Sequence, residues 1–277
     1  GSSLTYNPGG KGANQAYAAA KLGGVVKMLG CVGNDEFGEI LKKNLSCCGV
    51  DVSDIKTGTK STGMACIYVD KQGNNSIVVV PGANMECDVE YLKACDKAFQ
   101  ECDCLILQME IPKEAIYYAI NRAKELGKTV TLNPAPAPDE FPDDLYQKLD
   151  YITPNSTELM RLGGGSGKTI EDNIQGAKKL LDKGVRNVLV TLGEKGALLV
   201  NDEGAELFPT RKVVSVDTTA AGDCFNGAFL VALSEGMDHK NAVIFANAAS
   251  SISVTRNGAQ ASIPDRNETD EVLKNWN

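Results

Sequence analysis

The stretch VDTTAAGDCFNGAFLVALSEG, Val216 to Gly236, decides how the chain is read. Phe225, Phe229, Ala232 and Leu233 recur at helical spacing and Gly236 is a stop signal, so the spacing predicts a helix that begins near Ala221. The first turn of such a helix carries unpaired N–H groups and positive partial charge, a setting for an anion such as phosphate. Bulky side chains would block the approach, and Ala220, Ala221 and Gly222 provide none. Asp223 then stands in that first turn. An acid there either complements the helix dipole and nothing more, or is delivered to an anion-binding tip for chemistry, and the stretch alone leaves both readings open.

Working outward, the 277 residues and 29.4 kDa suit one large α/β domain with a small appendage. The hydrophobic content of 43% and charged content of 23% are those of a globular protein. A net charge of −8 argues against general nucleic-acid or anionic-membrane binding, so a polyanionic ligand must be held by local devices: helix N-termini, particular Lys or Arg residues, and metal ions. No apolar stretch approaches membrane-spanning length and no signal-peptide pattern is visible, so a cytoplasmic location is expected. The nine cysteines are scattered without a CxxC pair, as reduced thiols would be. With His239 the only histidine, a Cys/His zinc site and a Ser-His-Asp triad have no basis.

Helical and apolar patterns alternate along the chain. A small-residue helix is predicted over 12–22, a strand over 25–32 and a helix over 37–47. The segment STGMACIYVDKQGNNSIVVVPGAN interrupts that alternation: two β-branched or alternating runs flank a KQGNN turn and Pro81-Gly82 ends the second run, which predicts a hairpin standing apart as a flap. Beyond it come a helix over 88–98, the strand CLILQME, a helix over 113–126, the strand KTVTLNPAPAP, a short helix, the strand LDYITPN, helices over 155–162 and 170–183, and the strand NVLVTLG. A β-meander (GALLVND, AELFP) leads to the opening helix, a helix over 239–253 and a short C-terminal helix. Helices separating buried-looking strands imply a mostly parallel sheet covered on both faces, with ligands where loops leave the strands' carboxyl ends.

Candidate loops lie at such places. NPGGKGANQ puts Gly9, Gly10, Lys11, Gly12, Ala13 and Asn14 at a helix start; the glycines admit a ligand to the backbone, and Lys11 and Asn14 can bond hydroxyls or phosphate, although a plain tight turn reads equally well. LQMEI ends a strand with Glu110. TPNSTE gives Asn155 and Glu158 at i and i+3, a pair able to organise hydrated Mg²⁺ or simply to cap a helix. TLGEKG, Thr191 to Gly196, is another strand-to-turn loop suited to nucleotide phosphates. LGGGSGKT ends like a P-loop but has Leu162 where the pattern needs glycine and follows a helical segment, so it reads as a connector.

Together GGKGANQ, NPAPA, TPNSTE, TLGEKG, DTTAAGD and VTRNGAQAS resemble, in order, the sequence signatures of the ribokinase-like (PfkB-type) carbohydrate kinases, from Gly9 to about Pro264. The resemblance implies a three-layer α/β/α fold with a mostly parallel sheet (9–57 and 83–277) and a small β-sheet lid (1–8 and 58–82). It implies ATP-dependent phosphorylation of a pentose, D-ribose being favoured by GGKGANQ with NPAPA; deoxyribose, fructose or a nucleoside as acceptor, or a non-catalytic nucleotide-binding paralogue, are the alternatives. By the same resemblance Asp223 is the catalytic base, the backbone of Ala220, Ala221 and Gly222 the anion hole, and Gly10, Lys11, Gly12, Ala13, Asn14 and Glu110 the sugar site. Asn155, Thr191, Leu192, Gly193, Glu194, Lys195, Gly196 and Asn247 match ATP positions, with Glu158 linked to Mg²⁺. Asp217, Thr219, Ser253, Arg256, Gly258 and Ser262 match a site for an activating K⁺, Arg256 and Gly258 through their carbonyls. The lid implies a homodimer. Members of this family place a core strand with sugar-binding Asn and Asp, and a lid strand, before GGKGAN; only GSSLTYNP precedes it here, so the expected sheet lacks its first strand and the sugar site its Asp, as in a fragment of a longer product or a naturally short protein with impaired sugar binding.

Overall fold

The computed structural model describes residues 5–69 and 75–276. In chain order the elements are α1 (Lys11–Lys21), β1 (Cys31–Val32), α2 (Glu36–Cys47), β2 (Lys56–Thr57), β3 (Met64–Val69), β4 (Asn75–Val80), α3 (Val89–Ala94), α4 (Asp96–Glu101), β5 (Cys104–Leu107), α5 (Lys113–Glu125) and β6 (Thr129–Leu132). There follow α6 (Asp143–Tyr146), β7 (Tyr151–Ile152), α7 (Ser156–Gly163), α8 (Ile170–Asp182), β8 (Asn187–Thr191), β9 (Ala197–Asn201), β10 (Gly204–Phe208), α9 (Ala221–Ser234), α10 (His239–Ser253) and α11 (Arg266–Lys274). The six-stranded sheet runs β10-β9-β8-β7-β6-β5, parallel from β5 to β8 and antiparallel at β9 and β10.

The pleat explains why this sheet is covered twice. Val188 and Val190 of β8, with Leu198 and Val200 of β9, join the core beneath α5, α7 and α8; their alternates Leu189, Ala197 and Leu199 join the core formed with α1, α9 and α10. The result is the three-layer α/β/α arrangement that the alternation implied. The four parallel strands all end on the same side, so the loops after β5, β6, β7 and β8 open together.

Two elements differ from the sequence expectation. The strand expected over 25–32 is reduced to Cys31–Val32 and a single bridge from Lys27 to Asp51. Its even-numbered residues bond to the segment at 51–58 (Met28 N–H to Asp51 O, Lys56 N–H to Gly30 O, Gly58 N–H to Val32 O), while among the described residues no ladder forms on its other side. β5 is likewise an edge, paired with β6 alone. Cys31 and Leu107 nevertheless share one core, so among the described residues the two sheet pieces are joined by side chains and not by a backbone ladder. β2 was missed because two residues carry no periodicity. The helix expected over 88–98 is broken at Cys95; α4 restarts at Asp96, whose carboxylate receives Arg122 of α5 at 2.6 and 2.9 Å.

The hairpin stands apart as its own antiparallel pair, β3 with β4, in register from Met64 opposite Val80 to Val69 opposite Asn75. Of the expected turn, residues 71–74 lie outside the described residues, as do residues 1–4; residues 5–8 form no strand, and Tyr6 rests against Phe37 with ring centroids 5.5 Å apart. The segment that enters the hairpin is strapped at its base. Asp35 accepts from Thr62 N–H and Oγ1 (2.7 and 2.6 Å), and Glu86 accepts from the Thr59 and Lys60 amides.

α1 and α9 lie against each other at Gly227. A Cβ there would stand 2.6 Å from the Gln15 carbonyl and 2.8 Å from the Ala18 Cβ, so only glycine permits the close approach. Gly227→Val is therefore expected to lose about 1–3 kcal/mol of stability through overpacking, read as a lower midpoint in urea, and to lose activity with it, since α1 and α9 carry the site between them.

Candidate active site

α9 begins at Ala221, as the spacing predicted, and its N-cap, Ala220, is the single described non-glycine residue with positive φ (60°). No side chain caps the first turn, and a Cβ on Gly222 would meet nothing within 4 Å. The helical tip is bare. Asp223 does not turn outward from it: the residue is 8% exposed, and its carboxylate accepts one N–H on each oxygen, from Asn14 Nδ2 to Oδ2 (2.8 Å) and from Gln15 Nε2 to Oδ1 (3.0 Å).

α1 delivers those donors because its start is anchored from several sides. Gly10 is its N-cap at φ 96°, open to solvent space on the side where a Cβ would sit. Gly12 lets the first turn approach the end of β5, since a Cβ would stand 2.8 Å from Gln108 Oε1. Gln15 also donates to Asn133 Oδ1 (3.1 Å), just after β6, and accepts from Gln108 Nε2, just after β5. Gln260 donates to Asn14 Oδ1 (3.1 Å), tying the 258–262 loop to the same cluster. Ala13 turns the other way, into the small core with Val32 and Leu45.

The electrostatics gather around Lys11. Burial pushes the Asp223 carboxyl above its ordinary value, and the Asn14 and Gln15 N–H groups and Lys11 oppose that rise. Burial likewise raises Glu110, with Lys11 pulling down and Asp223 pushing up. Burial raises Glu158 too, opposed by the Asn155 amide and Lys11. Desolvation thus outweighs the hydrogen bonds and makes Asp223 a stronger base than an exposed aspartate.

The remaining predicted residues fall into three groups. Asn155 and Glu158 form a capping box at the start of α7, Glu158 Oε2 accepting the Asn155 N–H and Asn155 Oδ1 the Glu158 N–H, both at 2.9 Å. The loop of Thr191, Leu192, Gly193, Glu194, Lys195 and Gly196 lies beside them, because Thr191 N–H donates to Pro154 O (3.0 Å). Asp217 accepts from the Thr219 and Gly258 amides, each at 2.9 Å, and Ser253 and Ser262 meet through their hydroxyls at 2.9 Å, so the segments around 217 and 253–262 converge; the Arg256 side chain is engaged with Glu268. Asn247 is buried and donates to Phe208 O (3.0 Å), turned into the protein. Gln15, Gln108 and Gln260 were not singled out from sequence. Gln15 sits inside GGKGANQ, but helical spacing alone does not reveal that two consecutive residues reach one carboxylate.

A bare helical tip beside a buried acid and a lysine, at the carboxyl ends of parallel strands, combines parts that phosphoryl transfer calls on: backbone N–H groups open to an anion and an acid able to take a proton. The family model for pfkB family carbohydrate kinases matches residues 1–266, and the chain belongs to that family of sugar phosphotransferases. It is 41% identical over 267 residues to a ribokinase of Haemophilus influenzae, covering 96% of this chain and 87% of that one. It is 38% identical over 270 residues to a deoxyribokinase of Salmonella typhi, again covering 96% and 87%. The solved structure of an Arabidopsis thaliana ribokinase complexed with ribose and ATP superposes with a TM-score of 0.89 at 34% identity, covering 96% of this chain and 87% of that one. Among the described residues no helix is long and apolar enough to cross a membrane.

Three carboxyls raised by burial mean that the folded state binds protons more tightly there than the unfolded chain does. Stability contributed at these groups therefore falls as pH rises through the carboxyl range and is recovered on acidification. Glu110→Gln keeps an acceptor for the Lys11 amide without the buried charge. It is expected to melt above the parent at pH 7, with the difference shrinking as pH falls toward 4; an equal melting temperature throughout would contradict the burial argument.

Proposed function

We propose that this chain phosphorylates D-ribose to ribose 5-phosphate with ATP, with Asp223 as the base and the bare tip of α9 as the anion hole. The observation that carries the reading is the Asp223 carboxylate, buried, clamped by Asn14 and Gln15, and one residue beyond the open Gly222 position. The names of the relatives and the ribose and ATP in the Arabidopsis complex support the substrate pair. The Salmonella relative keeps deoxyribose as the alternative within the class.

The chemistry follows from placement. The sugar hydroxyl oxygen forms its bond to the γ-phosphorus as the bond from phosphorus to the bridging oxygen breaks, ADP carries off that electron pair, and the hydroxyl proton passes to Asp223. In a loose transition state charge spreads over the three equatorial oxygens, and the backbone of Ala220, Ala221 and Gly222 faces that charge in a protein of net charge −8. Lys11, among three carboxyls, balances Asp223 and Glu110 and remains in reach of the sugar or the phosphates. Gly10, Lys11, Gly12, Asn14 and Glu110 line the sugar side in this reading; Asn155 and the Thr191–Gly196 loop belong to the nucleotide side, and Asn247, turned inward to Phe208 O, supports that side from within.

An ion that arrives on nucleotide phosphates keeps several waters and needs few protein ligands. Glu158, with only Oε2 committed to the capping box, is the carboxylate to hold such a hydrated Mg²⁺, which would neutralise phosphate charge. The oxygen-only donor set of Asp217, Thr219, Ser253, Arg256, Gly258 and Ser262 fits K⁺, which would stiffen the loop that leads into the anion hole.

The hairpin fits a lid. Val78 and Val79 point to opposite faces of β4, yet both are 56% exposed, so neither face is covered. One face can close over the sugar and exclude water, and the other can pair with a second copy of the chain as a homodimer.

A coupled ADP assay with ribose, 2-deoxyribose and fructose tests the substrate: ribose is expected to give the highest kcat/KM, and ADP release indifferent to any sugar would overturn the kinase reading. Asp223→Asn is expected to lose about 10²-fold or more in kcat with nucleotide affinity largely kept. Turnover in K⁺ is expected to exceed that in Na⁺ at equal ionic strength, and equal rates would remove the cation site.

A further inference from the structure

Gln15 is 1% exposed, and each of its polar hydrogens and its carbonyl is used. Nε2 donates to Asp223 Oδ1 at 3.0 Å and to Asn133 Oδ1 at 3.1 Å, and Oε1 accepts from Gln108 Nε2 at 2.5 Å. Asn133 is itself held by its Nδ2 bond to Thr153 O at 2.9 Å. Gln15 therefore cannot turn without abandoning buried partners in segments that follow β5 and β6. Packing the two helices at Gly227 needs no such network, since a glycine against the Gln15 backbone already sets their separation.

We propose that Gln15 is a positioning residue for phosphoryl transfer: with Asn14 on the other oxygen, it fixes the plane in which the Asp223 carboxylate meets the sugar hydroxyl. The inference rests on the reading of Asp223 as the base. Alignment of the reacting groups supplies much of what an enzyme contributes to this chemistry, and a carboxylate free to rotate about its Cβ–Cγ bond loses it. Neutral amides suit the task because a cation in direct contact would hold the acid's proton affinity too low for a base.

The charged and titratable groups that face Asp223 are Lys11 on α1, Glu110 after β5 and Glu158 on α7, with the Cys224 thiol beside it on α9. Gln15→Met leaves all four in place and removes one N–H donor to the charged carboxylate. The sign follows: the donor opposes the rise caused by burial, so its loss raises the proton affinity of Asp223 and moves the acid limb of the kcat/KM profile to higher pH.

The test uses the purified full chain with ribose and ATP. Gln15→Met is expected to lower kcat roughly tenfold, to move the acid limb up by about half a pH unit or more, and to leave KM for ATP within about twofold. Gln108→Met, which keeps both Gln15 donor bonds and frees only its carbonyl, is expected to move the same limb in the same direction by less, and it decides the matter if Gln15→Met does not fold. A folded Gln15→Met with an unmoved acid limb and kcat within twofold would overturn the proposal and leave Gln15 as packing. Asp223→Asn run in parallel separates the two readings. Near-normal turnover there removes the base itself, whereas a large loss there with an unmoved Gln15→Met limb removes the positioning role alone.

Discussion

The structure depends on keeping one carboxylate, Asp223, out of water at the junction of two helices. Burying an anion without compensation is prohibitive, and here the compensation is an N–H on each oxygen from adjacent residues of α1, with Lys11 one turn away. That requirement can be met because the glycine at 227, facing the Gln15 backbone and the small residues Ala18 and Ala19, lets α1 and α9 approach closely. It also sets the register of α1 against the sheet, because the same amides that hold Asp223 are held by Asn133 and Gln108. The site is thus built from the meeting of α1, α9 and two strand ends, and no one of these could be shifted alone.

An acidic protein that handles a polyanion needs positive potential where it counts. The tip of α9 provides it without a side chain, and the bare Gly222 position leaves the backbone accessible. The parallel strands β5 to β8 supply the rest of the surround by ending on one side, so that Glu110, Asn133, Asn155 and Thr191 arrive from four successive loops. Burial raises the proton affinity of all three carboxyls there, and Asp223 adds to the rise at Glu110 and Glu158, a cost in stability that comes with gathering acids out of water.

The periphery is organised by unpaired edges. β5 is one edge of the main sheet, the small parallel pair β1–β2 offers another, and a shared side-chain core containing Cys31 and Leu107 bridges them. The hairpin β3–β4 forms a third piece, held at its base by the Asp35 and Glu86 carboxylates and apolar on both faces. Carboxylates accepting backbone N–H groups at that base anchor the chain entering β3 firmly while the strands themselves stay unburied.

How much of this the residues announced depends on the range of the interaction. Local periodicity placed α9 at Ala221, the helix over 239–253, the β-meander and the hairpin runs, because each is set by contacts within a few residues. The order of six short signatures identified the family, and the Ala220–Gly222 turn announced a helical tip bare of side chains, because backbone access is a matter of missing side chains and can be read without a fold. What the sequence could not decide were contacts between distant segments. Gln15 and Asp223 are separated by 208 positions, and only the packing of α1 on α9 brings the amide to the carboxylate. The capping box at Asn155 and Glu158 shows the converse: the spacing permitted either a cap or a metal-organising pair, and the fold realised the cap while leaving one carboxylate oxygen uncommitted to it. The broken strand over 25–32 has the same cause, since a β-strand is completed by neighbours that its own residues do not encode.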